Sequence, residues 1–128
     1  MEEKTQITRD GLRVHVLKPV GRLDITSAWQ FRLKLQNCIA EYQHVVLNLA
    51  QVQFIDSSGL TALVAGIRDA DKVKGSLRLC NINPVARLVF EVTMMDTVFE
   101  IFDDEAQALA ASFPVAVERE QPSPNPAE

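Results

Sequence analysis

The feature that most constrains the fold is the alternation of short apolar runs with amphipathic stretches along most of the chain. Between the later apolar runs, apolar residues recur at steps of three and four, as on one face of a helix. Helices between strands act as crossovers, so the order β-β-α-β-α-β-α-β-α predicts an α/β domain with a mixed sheet and right-handed parallel connections. The predicted strands are residues 5–9, 12–20, 44–49, 76–82 and 97–102.

Local signals mark where several of these elements begin and end. Asp10-Gly11 separates the first two runs and is the residue pair that a two-residue type I′ hairpin requires. Ser27 and Gln30 fit a capping box at the start of a first helix of about 14 residues, with Asp24 and Thr26 as alternative caps. Gly75 is predicted to stop the second helix.

The chain changes character near its C-terminus. Its 128 residues suit one domain. Residues 113–128 hold four of the six prolines and few large apolar side chains, so a disordered Pro-rich tail is predicted there. The single domain is therefore predicted to span residues 1–112.

Charge and hydropathy exclude some classes of function. The net charge of −4 and the pI near 5.2 argue against a nucleic-acid-binding protein, which normally carries a basic face. No apolar run approaches the ~20 residues that span a bilayer. The first ten residues are polar and do not resemble a secretory signal, so we expect a cytoplasmic protein.

The cysteines and histidines do not form a recognisable metal motif. Cys38 and Cys80 lie far apart among apolar neighbours, which is typical of buried core cysteines. His15 and His44 are isolated in strand-like surroundings, with no other ligand type beside them. The sequence therefore predicts no zinc site.

The stretch Asp56-Ser57-Ser58-Gly59-Leu60 lies where an apolar run gives way to a helical pattern, and three interpretations compete. A structural interpretation makes Asp or Ser the N-cap, worth ~1 kcal/mol. A hydrolase interpretation is weak, because the elbow G-x-S-x-G centred on Ser57 would need glycine at Ile55 and both histidines precede the serine. In the third, another enzyme phosphorylates a serine at this helix start, where backbone N–H groups suit an anion.

In the third interpretation, the charge of a single phosphate is large enough to switch the binding of a partner. A phosphate adds about −1.5 to −2 charges beside Asp56. At ~5 Å and an effective dielectric of ~20, one pair of unit charges interacts by about 3 kcal/mol before screening. Since about 1.4 kcal/mol changes an affinity tenfold, one phosphate suffices to repel an acidic partner surface. From these residues alone, a cap and a modification site remain open alternatives.

Three segments resemble the STAS-domain anti-sigma factor antagonists: GRLD (21–24), VVLNLAQVQFIDSSGLTALV (45–64) and NPVARLVFEV (83–92). The resemblance covers about residues 5–112. It implies a single STAS domain without catalytic activity or a cofactor of its own. It also implies a GHKL-type serine kinase that binds ATP and is itself the anti-sigma factor, a PP2C-type phosphatase that reverses the modification, and release of a sigma factor on binding.

The resemblance also assigns roles to individual residues. It makes Ser57 the phosphoacceptor and leaves Ser58 to hold or position the helix start. Thr61 stands where glycine is frequent in the family. The implied partner-binding residues are Asp24, Asp56, Ser57, Ser58, Gly59 and Thr61. We expect a monomer, with neither nucleic acid nor membrane as a direct partner. The alternative is a STAS subunit of another phospho-switch, acting on a phosphatase, cyclase or transporter.

Overall fold

Seven strands and four α-helices form within residues 1–114, the part of the chain that this computed structural model describes. The strands are β1 (Glu2–Ile7), β2 (Arg13–Lys18), β3 (Gly21–Leu23), β4 (His44–Asn48), β5 (Val52–Ile55), β6 (Ser76–Cys80) and β7 (Glu100–Phe102). The helices are α1 (Ala28–Glu41), α2 (Ser57–Lys72), α3 (Pro84–Val92) and α4 (Glu105–Ala110), with a 3-10 turn at Met95–Thr97. Most of the predicted tail lies outside the described residues.

The main sheet has five strands in the order β1-β2-β4-β6-β7. β1 is antiparallel to β2, and every later pair is parallel, with helical crossovers between the strands. The predicted α/β fold with a mixed sheet is confirmed. The five predicted strands correspond to these five, although four of them differ by two or three residues at one end or at both.

A second, two-stranded sheet was not predicted from the sequence. β3 and β5 pair in parallel, with Leu23 opposite Ile55. Runs of three and four residues are too short to show a reliable period of two, which explains why the pattern missed them. This small sheet positions the site, because Asp24 follows the end of one strand and Asp56 the end of the other.

Alternating side chains of the main sheet pack into two layers. α1 and α2 cover one face and share the larger core, which includes Leu17, Leu47 and Leu79. α4 covers part of the other face, where Val46 and Phe113 belong to a smaller core. The packed domain thus includes Phe113, which is only 8% exposed.

Arg78 of β6 fastens the C-terminal segment to the smaller core. Its side chain is 1% exposed and donates hydrogen bonds to the carbonyl oxygens of Ala108 at 2.8 Å, Ala111 at 2.9 Å and Ser112. Its guanidinium carbon lies 3.7 Å from the ring centroid of Phe113. A buried arginine therefore satisfies the backbone at the end of α4, where helix carbonyls lack partners within the helix.

Three local predictions need correction. The hairpin is not type I′, which requires positive φ at both central residues. Of the two central residues, only Gly11 has positive φ. The loop spans residues 8–12, and the Gly11 N–H donates a hydrogen bond to the carbonyl of Thr8 at 2.9 Å. The capping box at α1 does not form, since the Ser27 hydroxyl donates to the carbonyl of Arg22 at 2.6 Å instead.

The end of α2 also differs from the expected glycine cap. The residue with left-handed backbone is Lys74, at φ 57°, and not Gly75. Gly75 is required for a different reason, because a Cβ atom there would lie 1.9 Å from the carbonyl oxygen of Gln43.

No α-helix within residues 1–114 is both long and apolar enough to cross a bilayer.

Candidate functional site

Asp56 joins β5 to α2 and caps the helix. Its backbone is extended, and its Oδ1 accepts hydrogen bonds from the N–H groups of Ser58 at 2.8 Å and Gly59 at 3.1 Å. Its own N–H donates to the carbonyl of Leu23 at 3.1 Å, which ties the helix start to the end of β3. The carboxylate thereby satisfies two of the N–H groups that a helix leaves unpaired at its N-terminus.

Ser57 is the first residue of α2 and is exposed. None of the hydrogen bonds formed by side chains within residues 1–114 uses its hydroxyl, while its carbonyl accepts from the Thr61 hydroxyl at 2.8 Å. Ser58 is half-buried and contributes its backbone N–H to the cap. The expected capping role of the Ser58 side chain is therefore wrong, because the Asp56 carboxylate already fills it.

Gly59 is buried against the same chain, and its expected contact with a partner stays a prediction. A Cβ atom at this position would lie 2.2 Å from the carbonyl oxygen of Leu23 and 2.8 Å from its Cβ. The close approach that glycine allows is thus between the first turn of α2 and the end of β3. Because Gly59 has no side chain, the segment that carries Ser57 packs directly against the segment that leads to Asp24.

Asp24 lies in the loop after β3 and is held in one orientation. Its Oδ1 accepts hydrogen bonds from the Thr26 hydroxyl at 2.6 Å and the Thr26 N–H at 3.0 Å. Its Oδ2 accepts from Arg22 Nε at 3.1 Å. These bonds, that of the Thr26 hydroxyl foremost, lower the pKa of the Asp24 carboxyl to about 2. Asp24 is consequently a fixed negative charge across the physiological pH range.

Exposed residues around Asp24 extend this surface beyond those predicted. The Arg22 guanidinium carbon lies 4.3 Å from the ring centroid of Phe54. Ile25 and Trp29 are 77% and 64% exposed, one in the loop after Asp24 and one on the first turn of α1. The sequence carried a signal for Trp29, because it lies off the buried stripe of α1, on a face where polar residues are the norm.

The two histidines lie away from Ser57. His15 Nε2 is 2.7 Å from Glu3 Oε1, and His44 Nδ1 is 2.8 Å from Ser76 Oγ. Both rings are buried, at 5% and 3% exposure. The structure therefore supplies no histidine base for Ser57, and it does not support the hydrolase interpretation.

The fold and the site together define a class, a small α/β domain that presents an exposed serine at the capped start of its second helix. The chain belongs to the STAS domain family, whose family model matches residues 5–108. The resemblance read from the sequence is thereby confirmed.

Comparison with known proteins identifies similar chains. An anti-sigma F factor antagonist of Paenibacillus polymyxa is 28% identical over 98 residues, which cover 75% of this chain and 84% of the relative. The solved structure of the anti-sigma factor antagonist SpoIIAA in its unphosphorylated form is 25% identical, with a TM-score of 0.65, and covers 82% of this chain and 92% of its own. The phosphorylated form of SpoIIAA from Bacillus gives a TM-score of 0.60 at 25% identity, with coverages of 84% and 96%.

Proposed function

We propose that this chain is an anti-sigma factor antagonist that is switched by phosphorylation of Ser57. In its unphosphorylated form it binds a GHKL-type serine kinase that is also the anti-sigma factor, and the sigma factor is released. The kinase then transfers a phosphoryl group from ATP to Ser57, and a PP2C-type phosphatase removes it. The chain itself contributes no catalytic group and acts in the cytoplasm as a monomer.

The observation that carries this proposal is that different residues cap α2 and present an exposed hydroxyl at its start. Asp56 makes the cap, so the Ser57 hydroxyl is exposed and has no structural hydrogen bond among the described residues. A phosphoryl group can be added there without loss of the cap. The similar proteins named as anti-sigma factor antagonists, one of them solved in unphosphorylated and phosphorylated forms, support the same assignment.

The charges around Ser57 favour repulsion as the means of release. Asp56 is the preceding residue. Asp24 follows Leu23, whose carbonyl accepts a hydrogen bond from the Asp56 N–H, and the Asp24 carboxylate is paired with Arg22 at 3.1 Å. Adding about −1.5 to −2 charges to this surface raises its negative potential sharply. A kinase surface that is acidic where it faces Ser57 then loses affinity once the transfer is complete.

Exposed apolar side chains beside these charges supply contact area for the partner. Ile25 and Trp29 border the Asp24 loop, and exposed tryptophans are enriched among residues that dominate binding energy. Thr61 is exposed one helical turn beyond Ser57. We therefore assign the partner surface to Asp24, Ser57 and Thr61 together with Ile25 and Trp29.

Phosphorylation by the partner kinase tests the site. The kinase is recovered from native cell extract with the unphosphorylated chain as bait and incubated with ATP and each variant. Ser57→Ala is expected to abolish phosphate incorporation, measured by intact-protein mass spectrometry, whereas the matched Ser58→Ala variant is expected to retain it. Equal incorporation in wild type and Ser57→Ala contradicts the assignment.

The same capture distinguishes a sigma switch from another output. Recovery of a GHKL-type kinase that exchanges this chain for a sigma factor supports the proposal. Recovery of a phosphatase, cyclase or transporter complex without such a kinase contradicts the sigma output and favours a different STAS phospho-switch. Ser57→Ala serves as the non-phosphorylatable bait that keeps the complex assembled.

A further inference from the structure

Three side chains with different metal-binding atoms meet at the edge of the main sheet. Glu3 is on β1, His15 on β2 and Cys38 on α1, and their ligand atoms all lie within 4.8 Å of one another. The three residues are far apart in sequence, so no motif spacing revealed them. His15 and Cys38 are each 5% exposed, while Glu3 closes the group on the solvent side.

The distances are close to those of a tetrahedral metal site. Zn–N and Zn–O bonds of ~2.0–2.1 Å and Zn–S bonds of ~2.3 Å place ligand atoms roughly 3.3–3.6 Å apart. Glu3 Oε1 and His15 Nε2 are 2.7 Å apart, and the widest pair in the group is at most 4.8 Å apart. Side-chain rotations that move these atoms by about 1 Å bring all three to zinc-binding distance.

The surroundings also orient two of the three ligands, His15 and Glu3, as outer partners do in metal sites. Thr5 Oγ1 lies 3.4 Å from His15 Nδ1, which leaves Nε2 directed at the group. The Tyr42 ring stacks on the imidazole with centroids 4.2 Å apart and planes inclined by 8°. Lys34 Nζ donates to Glu3 Oε2 at 2.6 Å, and Oε1 points into the group, where its partner in the metal-free chain is His15 Nε2 at 2.7 Å. Such second partners fix ring orientation and carboxylate geometry in metalloproteins.

We propose that Glu3, His15 and Cys38 form a binding site for one divalent transition-metal ion, with Zn²⁺ as the preferred occupant. One imidazole, one thiolate and one carboxylate suit borderline-soft Zn²⁺ better than Mg²⁺ or Ca²⁺, which prefer oxygen ligands alone. The thiol loses its proton when the metal binds, and a water molecule completes four-coordination. The bound ion joins the edge strand β1 to β2 and α1.

This site is separate from the surface around Ser57. α1 has 14 residues and is about 21 Å long. Cys38 lies near its C-terminal end, whereas Asp24 precedes its N-terminus. The metal proposal therefore stands independently of the proposed phosphorylation and is tested without a kinase.

Metal titration of the purified full chain tests the site. We expect one Zn²⁺ per chain in competition with a chromophoric chelator, and a thiolate-to-metal charge-transfer absorption when Co²⁺ replaces Zn²⁺. Cys38→Ser is expected to abolish that absorption. Glu3→Gln, which keeps a hydrogen-bond acceptor for Lys34 at the exposed end of the group, is expected to weaken Zn²⁺ binding at least tenfold, since even outer-shell partners typically contribute ~10–100-fold.

Two controls keep the result independent of folding. Cys80→Ser removes the other buried thiol, which belongs to the smaller core, and is expected to bind Zn²⁺ as wild type does. Zn²⁺ should raise the melting temperature of wild type and Cys80→Ser by mass action, and that of Glu3→Gln by clearly less at the same Zn²⁺ concentration. No stoichiometric binding by wild type overturns the proposal, as does undiminished binding by Glu3→Gln and Cys38→Ser.

Discussion

The N–H of Ser58 donates a hydrogen bond of 2.8 Å to the carboxylate of Asp56, and this bond begins the cap of α2. The cap uses the backbone of Ser58 and leaves both serine hydroxyls out of it. Structural support of the helix and the group available for modification therefore belong to different residues.

Stability should follow this separation. Asp56→Ala is expected to lower the free energy of unfolding by about 1 kcal/mol, because two N–H groups of the first turn lose their acceptor. Ser57→Ala is expected to change it by less than about 0.5 kcal/mol, as at ordinary surface positions. Urea denaturation measures both. A loss for Ser57→Ala as large as for Asp56→Ala would show that the serine has a structural role.

Charge at position 57 should control binding of the captured kinase. Ser57→Asp is expected to weaken binding at least tenfold, because a carboxylate beside Asp56 repels an acidic partner. Asparagine has nearly the same shape as aspartate but no charge, so Ser57→Asn is expected to bind the kinase much more tightly than Ser57→Asp does. Isothermal titration at low and high salt measures both affinities. Equal weakening by the two variants would indicate a steric effect and contradict the charge mechanism.

An alanine at Gly59 should cost more stability than an alanine at Gly66 in the same helix. An alanine Cβ at Gly59 meets the carbonyl oxygen of Leu23 at 2.2 Å, and a backbone group cannot rotate away. Gly59→Ala is expected to destabilise the fold by about 1–3 kcal/mol. At Gly66 the nearest atom is Leu35 Cδ2 at 2.5 Å, the end of a flexible side chain, and the gain in helix propensity of up to ~1 kcal/mol offsets part of the strain. Similar losses of unfolding free energy in both variants would refute the backbone explanation.

The pH dependence of stability should reveal Asp24. Its folded-state pKa of about 2 is below its ordinary value of 3.8, so its contribution is fully present above pH ~5 and is lost as the pH falls from about 4 to 2. Asp24→Asn removes this contribution. The stability difference between wild type and Asp24→Asn, measured by urea denaturation, should therefore shrink over that interval. A difference that stays constant from pH 6 to pH 2 would mean that the Asp24 pKa is not lowered.

Arg78 should be among the most costly side chains to remove. Arg78→Met leaves the carbonyl oxygens of Ala108 and Ala111 without their charged donor, and a loss of about 3 kcal/mol or more is expected. Arg87→Met, which breaks an exposed pair with Glu91, is the matched control and should cost less than about 0.5 kcal/mol. Urea denaturation compares the two. Equal effects would show that the buried hydrogen bonds contribute no more than a surface pair.

Long elements were predictable from the sequence because their periodicity extends over several turns or residues. α1 has the predicted length of 14 residues, with Ala28, Phe31, Leu35 and Cys38 buried as its spacing required. The central strands β4 and β6 were recognisable as short continuous apolar runs, because every residue in them is buried between the two layers.

Short elements and exact partners depended on contacts that no local pattern records. β3 and β5 exist because each pairs with the other across about 30 residues. Ser27 was a plausible cap by type, yet its hydroxyl is taken by the carbonyl of Arg22. Ser58 was a plausible cap for the same reason, and Asp56 displaced it. Residue type thus limited which residues were candidates for the helix caps, and contacts between distant segments determined which of them forms the cap.

Within residues 1–114, the strands that support Asp24 and Asp56 pair with each other and with no strand of the five-stranded sheet. Substitutions at exposed positions of this small sheet and its loop, such as Arg22 and Ile25, therefore leave the pairing of the main sheet intact, whereas Leu23 and Ile55 are buried in the larger core. Duplicated copies of such a domain can acquire private partners while they keep one fold. That independence separates the residues that can set partner specificity from the residues that hold the main sheet together.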